Sequence, residues 1–466
     1  MIEIKDTSFD YVKGQNTLDH VNINIGKGEC VLLCGESGCG KTTVTKLING
    51  LIPHFEENGE LRGKVTVAGL DTAKAELYQL SCHVGSVFQN PKSQFFHTDA
   101  ESEIVFGLEN SGTDPAIIRQ RLDDTVRELG ISSMLGRSVF SMSGGEKQML
   151  AFASVYAMGA DIFVLDEPTA NLDEGAIQLL ARLIRKCKTD GKTVVIAEHR
   201  LYFLMELIDR AIYMEKGRVV REFTREQFSA LTDSERISMG LRTLTKTALI
   251  PRIDHGQQNV PKGLEVRGLS FRYGKQKVFT GLDLNAGYGE IIGIIGKNGA
   301  GKSTLSRCLC GLIKESDGEI LLDGKRLKDR ARRKESFLVM QDVNHQLFSD
   351  SVTNECHMSS EDVSEERADH ILSLLDLADF KDKHPMALSG GQKQRLAVAT
   401  AILSGKKILV FDEPSSGLDY RRMESVSSML KKIAADDRII IVVSHDYELL
   451  NNICDRCFCV TGEKDQ

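Results

Sequence analysis

Residues 143–199 and 389–445 lie on each other at a constant offset of 246 without a gap, so the chain has to build one architecture twice. Around those segments, landmarks recur in one order. Each half opens with an aromatic residue, Tyr11 in "FDYVKG" and Tyr273 in "FRYGKQ", followed by a glycine-rich loop, "GESGCGKTT" (35–43) or "GKNGAGKST" (296–304). A strand-ending glutamine comes next, Gln89 or Gln341, and then "MSGGEKQ" or "LSGGQKQ". The runs "DIFVLDEPTANLD" and "KILVFDEPSSGLD" follow, and each series ends in "TVVIAEHR" or "IIIVVSHD". A length of 466 residues supports two or three domains, each burying its own core.

The segments before each loop, "CVLLCG" and "IIGIIG", and those around each Asp-Glu pair are short unbroken apolar runs, as strands of a parallel sheet covered on both faces require. Each loop leads into a helical pattern such as "KTTVTKLINGLI". Each half is therefore expected to be an α/β domain. The first should cover 1–222 and the second 263–466, joined by a connector over 223–262 that ends in the turn-rich "IPRIDHGQQNVPKG".

A net charge of -7 argues against nucleic acid as a partner, since nonspecific nucleic-acid binding draws on a basic field. "MIEIKDTSFDYVKG" has neither a basic nor an apolar leader region, and no window approaches the roughly 18 apolar residues of a spanning helix. The chain is expected neither to cross a membrane nor to be secreted by itself. Its 11 cysteines form no even framework and read as reduced thiols. Cys454, Cys457 and Cys459 in "ICDRCFC" stand where the first half has Ile208, Ala211 and Tyr213, which makes them residues of a core strand rather than metal ligands.

The loops follow the pattern G-x4-G-K-S/T. Gly35, Glu36, Ser37, Gly38, Cys39, Gly40, Lys41, Thr42 and Thr43 form the first; Gly296, Lys297, Asn298, Gly299, Ala300, Gly301, Lys302, Ser303 and Thr304 form the second. Their backbone N–H groups can wrap a phosphate chain at a helix N-terminus, with Lys41 and Lys302 on the β and γ oxygens. The Thr42 and Ser303 hydroxyls are suited to Mg²⁺, as are Asp166 and Asp412 at their strand ends. Glu167 and Glu413 are placed to polarise an attacking water, and His199 and His445, each 33 residues after its Asp, to sense the γ-phosphate. These are the expected catalytic residues, with a nucleoside triphosphate and Mg²⁺ as the ligands. Alkylation of Cys39 is expected to block the first site.

Together with the loop, glutamine, Asp-Glu pair and histidine, the "SGGE" and "SGGQ" segments resemble the signature of ABC ATPases over both halves. The resemblance implies two tandem P-loop, RecA-like domains, each with an antiparallel β subdomain and a helical subdomain. It also implies composite sites, in which Ser143, Gly144, Gly145 and Glu146, or Ser389, Gly390, Gly391 and Gln392, meet the γ-phosphate held by the other half. Pairing of the halves within one chain is expected. Tyr11 and Tyr273 would stack on adenine, and Gln89 and Gln341 would reach the Mg²⁺ and water. Met142 and Glu146 depart from the usual Leu and Gln of the first signature.

Within the family, the repeated "Q, four residues, Q, apolar, Phe" resembles the ATPases of energy-coupling-factor (ECF) importers, which take up vitamins and metal ions. It occurs in "SVFQNPKSQFF" and "LVMQDVNHQLF". "NGLIPHF" and "AEHRL" resemble the leading domain of their fused, cobalt-type members. The implied partners are an ECF transmembrane component and a substrate-binding membrane component, with this chain peripheral at the cytoplasmic face. Gln94 with Phe96, and Gln346 with Phe348, would form the groove for the transmembrane partner. A sugar-importer ATPase, or a soluble ATPase acting on ribosomes or nucleic acid, stands as the alternative.

Overall fold

The computed structural model describes residues 1–14, 16–56, 59–170, 172–254, 262–360, 362–435 and 437–461. The chain divides into two compact units, Met1–Lys246 with Asp419–Arg421, and Thr247–Leu418 with Arg422–Gln466.

In the first unit a six-stranded sheet runs in the order Arg218–Thr224, Arg210–Glu215, Cys30–Cys34, Thr193–Ala197, Ile162–Asp166, Val84–Val87. Its strands are parallel except Arg218–Thr224, which closes the edge as the antiparallel arm of a hairpin. The unbroken apolar runs have their predicted cause. Leu32, Leu165 and Ile196 face a core shared with the helices Ala100–Asn110, Pro115–Leu129 and Gly144–Ala157. Val31, Leu33, Val164 and Val195 face the opposite way, against Ile2, Ile4, Val21 and Ile23 of a four-stranded antiparallel sheet. Because side chains alternate along a strand, a sheet covered on both faces calls for apolar residues at almost every central position. Phe163, 1% exposed, shows the stake: truncation to Ala would cost about 3–5 kcal/mol.

The second unit repeats this plan. Its six-stranded sheet runs Arg252–Asp254, Arg456–Cys459, Ile291–Ile295, Ile439–Val443, Ile408–Asp412, Ser336–Val339, and all these strands are parallel. Its antiparallel sheet is built on Gly263–Tyr273 and Gln276–Gly287. Its helical part contains Val352–His357, Glu365–Leu374 and Gly390–Leu403. Both units thus have the α/β fold with antiparallel and helical parts.

The connector contributes to both units. Helices Arg225–Ser229 and Asp233–Ser238 each start with a capping box, and Phe228, Leu241 and Leu244 bury in the first core. Further on, the Asn451 side chain bonds Ile250 N and Ala248 O, and Arg252–Asp254 joins the second sheet beside Arg456–Cys459. The stretch 255–261 lies outside the described residues. Cys457 is buried within strand Arg456–Cys459, all eleven cysteines are free, and no metal-ligand cluster occurs among the described residues. Among those residues, no helix is long and apolar enough to cross a membrane.

Candidate active site

Parallel register brings the chemistry to one edge. Asp166 pairs with Ala197 at the ends of their strands, and Cys34 ends the strand between Thr193–Ala197 and Arg210–Glu215. The phosphate loop, the Asp-Glu pair and the histidine therefore leave the sheet at its carboxyl edge, where open α/β sheets carry their ligands. The first loop joins strand Cys30–Cys34 to helix Lys41–Ile48. Gly35 (φ +142°) passes so close to the neighbouring strand that a Cβ would stand 2.2 Å from Met214 O, whereas a Cβ at Gly38 would meet nothing within 4 Å. The loop is thus packed at its base and open at its crest, the shape that backbone approach to a phosphate needs. Lys41, buried, donates to the carbonyls of Gly35 and Glu36 at 3.0 Å. Lys302 does the same to Gly296 (2.7 Å) and Lys297 (3.0 Å).

Thr42 Oγ1 donates to Asp166 Oδ1 at 3.2 Å. Burial, reinforced by repulsion from Glu167, pushes the Asp166 carboxyl up to about 6. Burial likewise raises Asp412, against the Ser303 hydrogen bond that lowers it. A hydroxyl and a strand-end carboxylate are hard oxygen donors, and with the amide of Gln89 they fit Mg²⁺ in the first unit. Ser303, hydrogen-bonded to Asp412, is the corresponding pair in the second, with Gln341 at the matching sequence position.

Glu167 and Glu413 have left-handed backbones, φ +44° and +51°, which non-glycine residues seldom adopt. The conformation sends each backbone N–H to the neighbouring strand, onto Ala197 O and Val443 O at 2.8 Å. Glu167 Oε2 accepts from Gln89 Nε2 at 2.6 Å, and its Oε1 lies 3.4 Å from His199 Nε2. That nitrogen is also 3.3 Å from Ser37 Oγ of the phosphate loop. In the second unit His445 Nε2 is 3.0 Å from Asn298 Oδ1 and 3.9 Å from Glu413 Oε1. Each unit therefore brings its glutamate, histidine and phosphate loop together.

Tyr11 stands beside the loop, its hydroxyl 3.5 Å from Thr43 Oγ1, its ring edge-on to Phe9 and Lys46 Nζ over its face. Tyr273 packs edge-on against Phe271 and stays half exposed. The Cys39 sulfur turns into the core below the loop, and burial raises its thiol pKa. The expected alkylation is therefore corrected: Cys39 is sterically and chemically protected, while Cys82 is the exposed thiol. Ser143 and Ser389 cap separate helices, Gly144–Ala157 and Gly390–Leu403, each closed by a capping box with Glu146 or Gln392. The Glu146 departure has a local reason. Burial alone would raise its pKa, but the hydrogen bonds from Arg137 (Nη1 at 2.5 Å) and Ser143 outweigh this and hold it ionised.

The paired glutamines divide their labour. Gln94, at the end of the turn Pro91–Gln94, folds back so that its Oε1 accepts from Phe88 N at 3.1 Å and its Nε2 donates to Ser86 O at 3.4 Å. Gln346 Oε1 accepts from Met340 N at 2.7 Å. Each far glutamine thus fixes the backbone one residue before the near one. The following phenylalanines point outward, Phe96 72% and Phe348 74% exposed. Sequence reasoning missed what anchors them: buried Glu103 accepts from the N–H groups of Phe96 (2.9 Å) and His97 (2.8 Å), and Glu355 from those of Phe348 (2.9 Å) and Ser349 (2.8 Å). The signal was present, since each glutamate stands seven residues after its Phe.

The sequence profile of the ABC transporter family matches residues 18–170 and 279–416, taking in both halves. A Treponema denticola protein described as an ABC transporter ATP-binding protein is 46% identical, over 100% of this chain and 96% of its own length. A Bacillus subtilis protein described as an HMP/thiamine import ATP-binding protein is 31% identical, over 98% of this chain and 89% of its own length. Among solved structures, one titled "Model of ribosome-bound archaeal Pelota and ABCE1" shares the fold at a TM-score of 0.67 and 22% identity, over 95% of this chain and 74% of that one. With two phosphate loops, two Asp-Glu pairs and both halves matched, the chain belongs to the ABC transporter family, as a tandem ABC ATPase that binds and hydrolyses ATP.

Proposed function

We propose that this chain is the ATP-hydrolysing subunit of an ECF-type importer. It would stand at the cytoplasmic face of the membrane and drive uptake of a vitamin or metal ion through membrane subunits on other chains. The end-to-end similarity to a relative described as acting in HMP/thiamine import carries this reading. The duplicated, outward phenyl groups of Phe96 and Phe348, each held on a fixed backbone, support it as the contact for an apolar partner helix.

Lys41 exchanges its loop carbonyls for the β- and γ-phosphate oxygens, and the open crest at Gly38 admits the phosphate chain. Thr42, Gln89 and Asp166 would hold Mg²⁺, which when bound offsets the charge on those oxygens. Glu167 accepts a hydrogen bond from the attacking water, and His199, 3.4 Å away, fixes that carboxylate and meets the γ-phosphate. To do so Glu167 has to release the amide of Gln89. Because Gln94 ties the backbone next to Gln89 to the turn that leads into Phe96, a change at the carboxylate is conveyed to the exposed phenyl. Nucleotide chemistry and partner surface are thus linked by about eight residues of pinned chain.

The test is to isolate the full chain from its native membranes in mild detergent and identify its companions. Small integral membrane proteins, one of them binding a vitamin or metal ion, are the expected result. Recovery with ribosomes and never with membranes overturns the reading.

A further inference from the structure

The segments around the two histidines, "AEHR" and "VSHD", differ by an exchange: Glu198 stands where the second half has Ser444, and Arg200 where it has Asp446. The structure shows that this exchange conserves one connection. Glu198, 3% exposed, accepts four hydrogen bonds. Its Oε2 takes Thr169 Oγ1 at 2.7 Å and Thr169 N at 3.2 Å, and its Oε1 takes His199 N at 2.7 Å and Arg200 N at 3.0 Å. It thereby ties the segment two residues after Glu167 to the backbone of His199. In the second unit a corresponding tie is made from the other side of the histidine, to the helix that follows it: Asp446, 5% exposed, accepts from Ser415 Oγ at 2.7 Å and from Leu449 N at 3.3 Å. Ser415 aligns with Thr169. The position freed by the exchange then acts differently, because Ser444 Oγ donates to Glu413 Oε2 at 3.1 Å, a bond that a glutamate at 198 cannot offer Glu167.

We propose that Glu198 is a positioning residue for hydrolysis in the first half. It holds Glu167 and His199 in register, the task that Asp446 performs from two residues further on in the second half. This rests on Glu167 and His199 being the reacting pair. Four bonds on one buried carboxylate leave little freedom to either segment, and displacement of a reacting group by about 1 Å can cost on the order of 100-fold in rate.

The experiment is steady-state ATP hydrolysis by the full chain, with the turnover lost in Glu167→Gln defining the share of the first site. Glu198→Ala is expected to remove about nine-tenths of that share while KM for ATP changes less than about threefold. Thr169→Val, which loses one of the four bonds, falls between Glu198→Ala and the parent. The double substitution Glu198→Ser with Arg200→Asp writes the second half's pattern into the first, and should restore turnover to within about threefold of the parent where Glu198→Ser alone does not. A merely structural role predicts no such rescue. Full turnover in Glu198→Ala, or a double variant no faster than Glu198→Ser, overturns the proposal. Unchanged turnover in Glu167→Gln would instead overturn the assignment of the reacting pair.

Discussion

Asp166 offers a test in which stability and activity should move in opposite directions. Its carboxyl is raised from 3.8 to about 6 by burial and by Glu167 beside it. The folded chain holds this proton more tightly than the unfolded chain, so the group's contribution is fully present below pH 3.8 and is lost as pH rises through about 6. A shift of about 2 units corresponds to about 3 kcal/mol, the cost at neutral pH of keeping an ionised carboxylate in this place without a cation. Asp166→Asn removes the charge and keeps an oxygen for the Thr42 hydroxyl. In buffer with chelator and without nucleotide, calorimetry should show the variant more stable by about 3 kcal/mol at pH 8, roughly 5 to 10 °C in the first unit's transition. The gain should shrink to about 1 kcal/mol near pH 4.5. Turnover of ATP at the first site should fall by at least about 100-fold. A variant no more stable than its parent at pH 8, or a gain that ignores pH, would refute the argument that this carboxylate is kept at a cost for the sake of a cation.

Glu167→Gln and Glu413→Gln should each bind ATP and lower turnover by about 100-fold or more at their own site, read as phosphate release; undiminished hydrolysis in the double variant would sink the assigned chemistry. Gln94→Ala should destabilise the first unit by about 1–2 kcal/mol in denaturant unfolding, whereas Gln94→Glu, which keeps the acceptor for Phe88 N, should cost less than half of that. Phe96→Ala with Phe348→Ala should leave ATP binding intact, since neither phenyl is buried, and should weaken co-purification of membrane subunits; retention of those subunits would remove the phenyl groups from the partner surface. One equivalent of maleimide should label Cys82 in peptide mapping and leave Cys39 and ATP binding untouched.

Legibility followed the range of the interactions. The loops, strands and carboxylate pairs were readable because each depends on a short run of residues: a glycine pattern, an unbroken apolar stretch, an acidic pair at its end. Chain duplication gave independent copies to compare. What escaped depends on chain folding back. Gln94 and Phe96 read together as one partner groove, and the structure separates them, the amide turned to the backbone and the ring turned out. The reason is that Phe88 N, past the last residue of edge strand Val84–Val87, has no ladder partner, and Gln94 is the acceptor that reaches it. The roles of Glu103 and Glu198 were hidden for the same reason, since a buried carboxylate can be recognised only with its donors in view. By residue type Arg200 simply differs from Asp446; the geometry shows that Glu198 supplies the carboxylate on the other side of the histidine.

Strand Arg252–Asp254 has a consequence for the order in which the molecule can form. It pairs with Arg456–Cys459, so the earliest-made strand of the second sheet has as its partner one of the last. The central strand Ile291–Ile295 likewise lies between Ile439–Val443 and Arg456–Cys459. During synthesis the first sheet has all its strands once residue 224 has emerged, whereas the second must wait until residue 459. At about 5–20 residues per second, the half-made second sheet spends roughly ten seconds or more with unpaired backbone. Over that interval the first six-stranded sheet has all its strands and the second does not, so slowed translation or early truncation should fall mainly on the second.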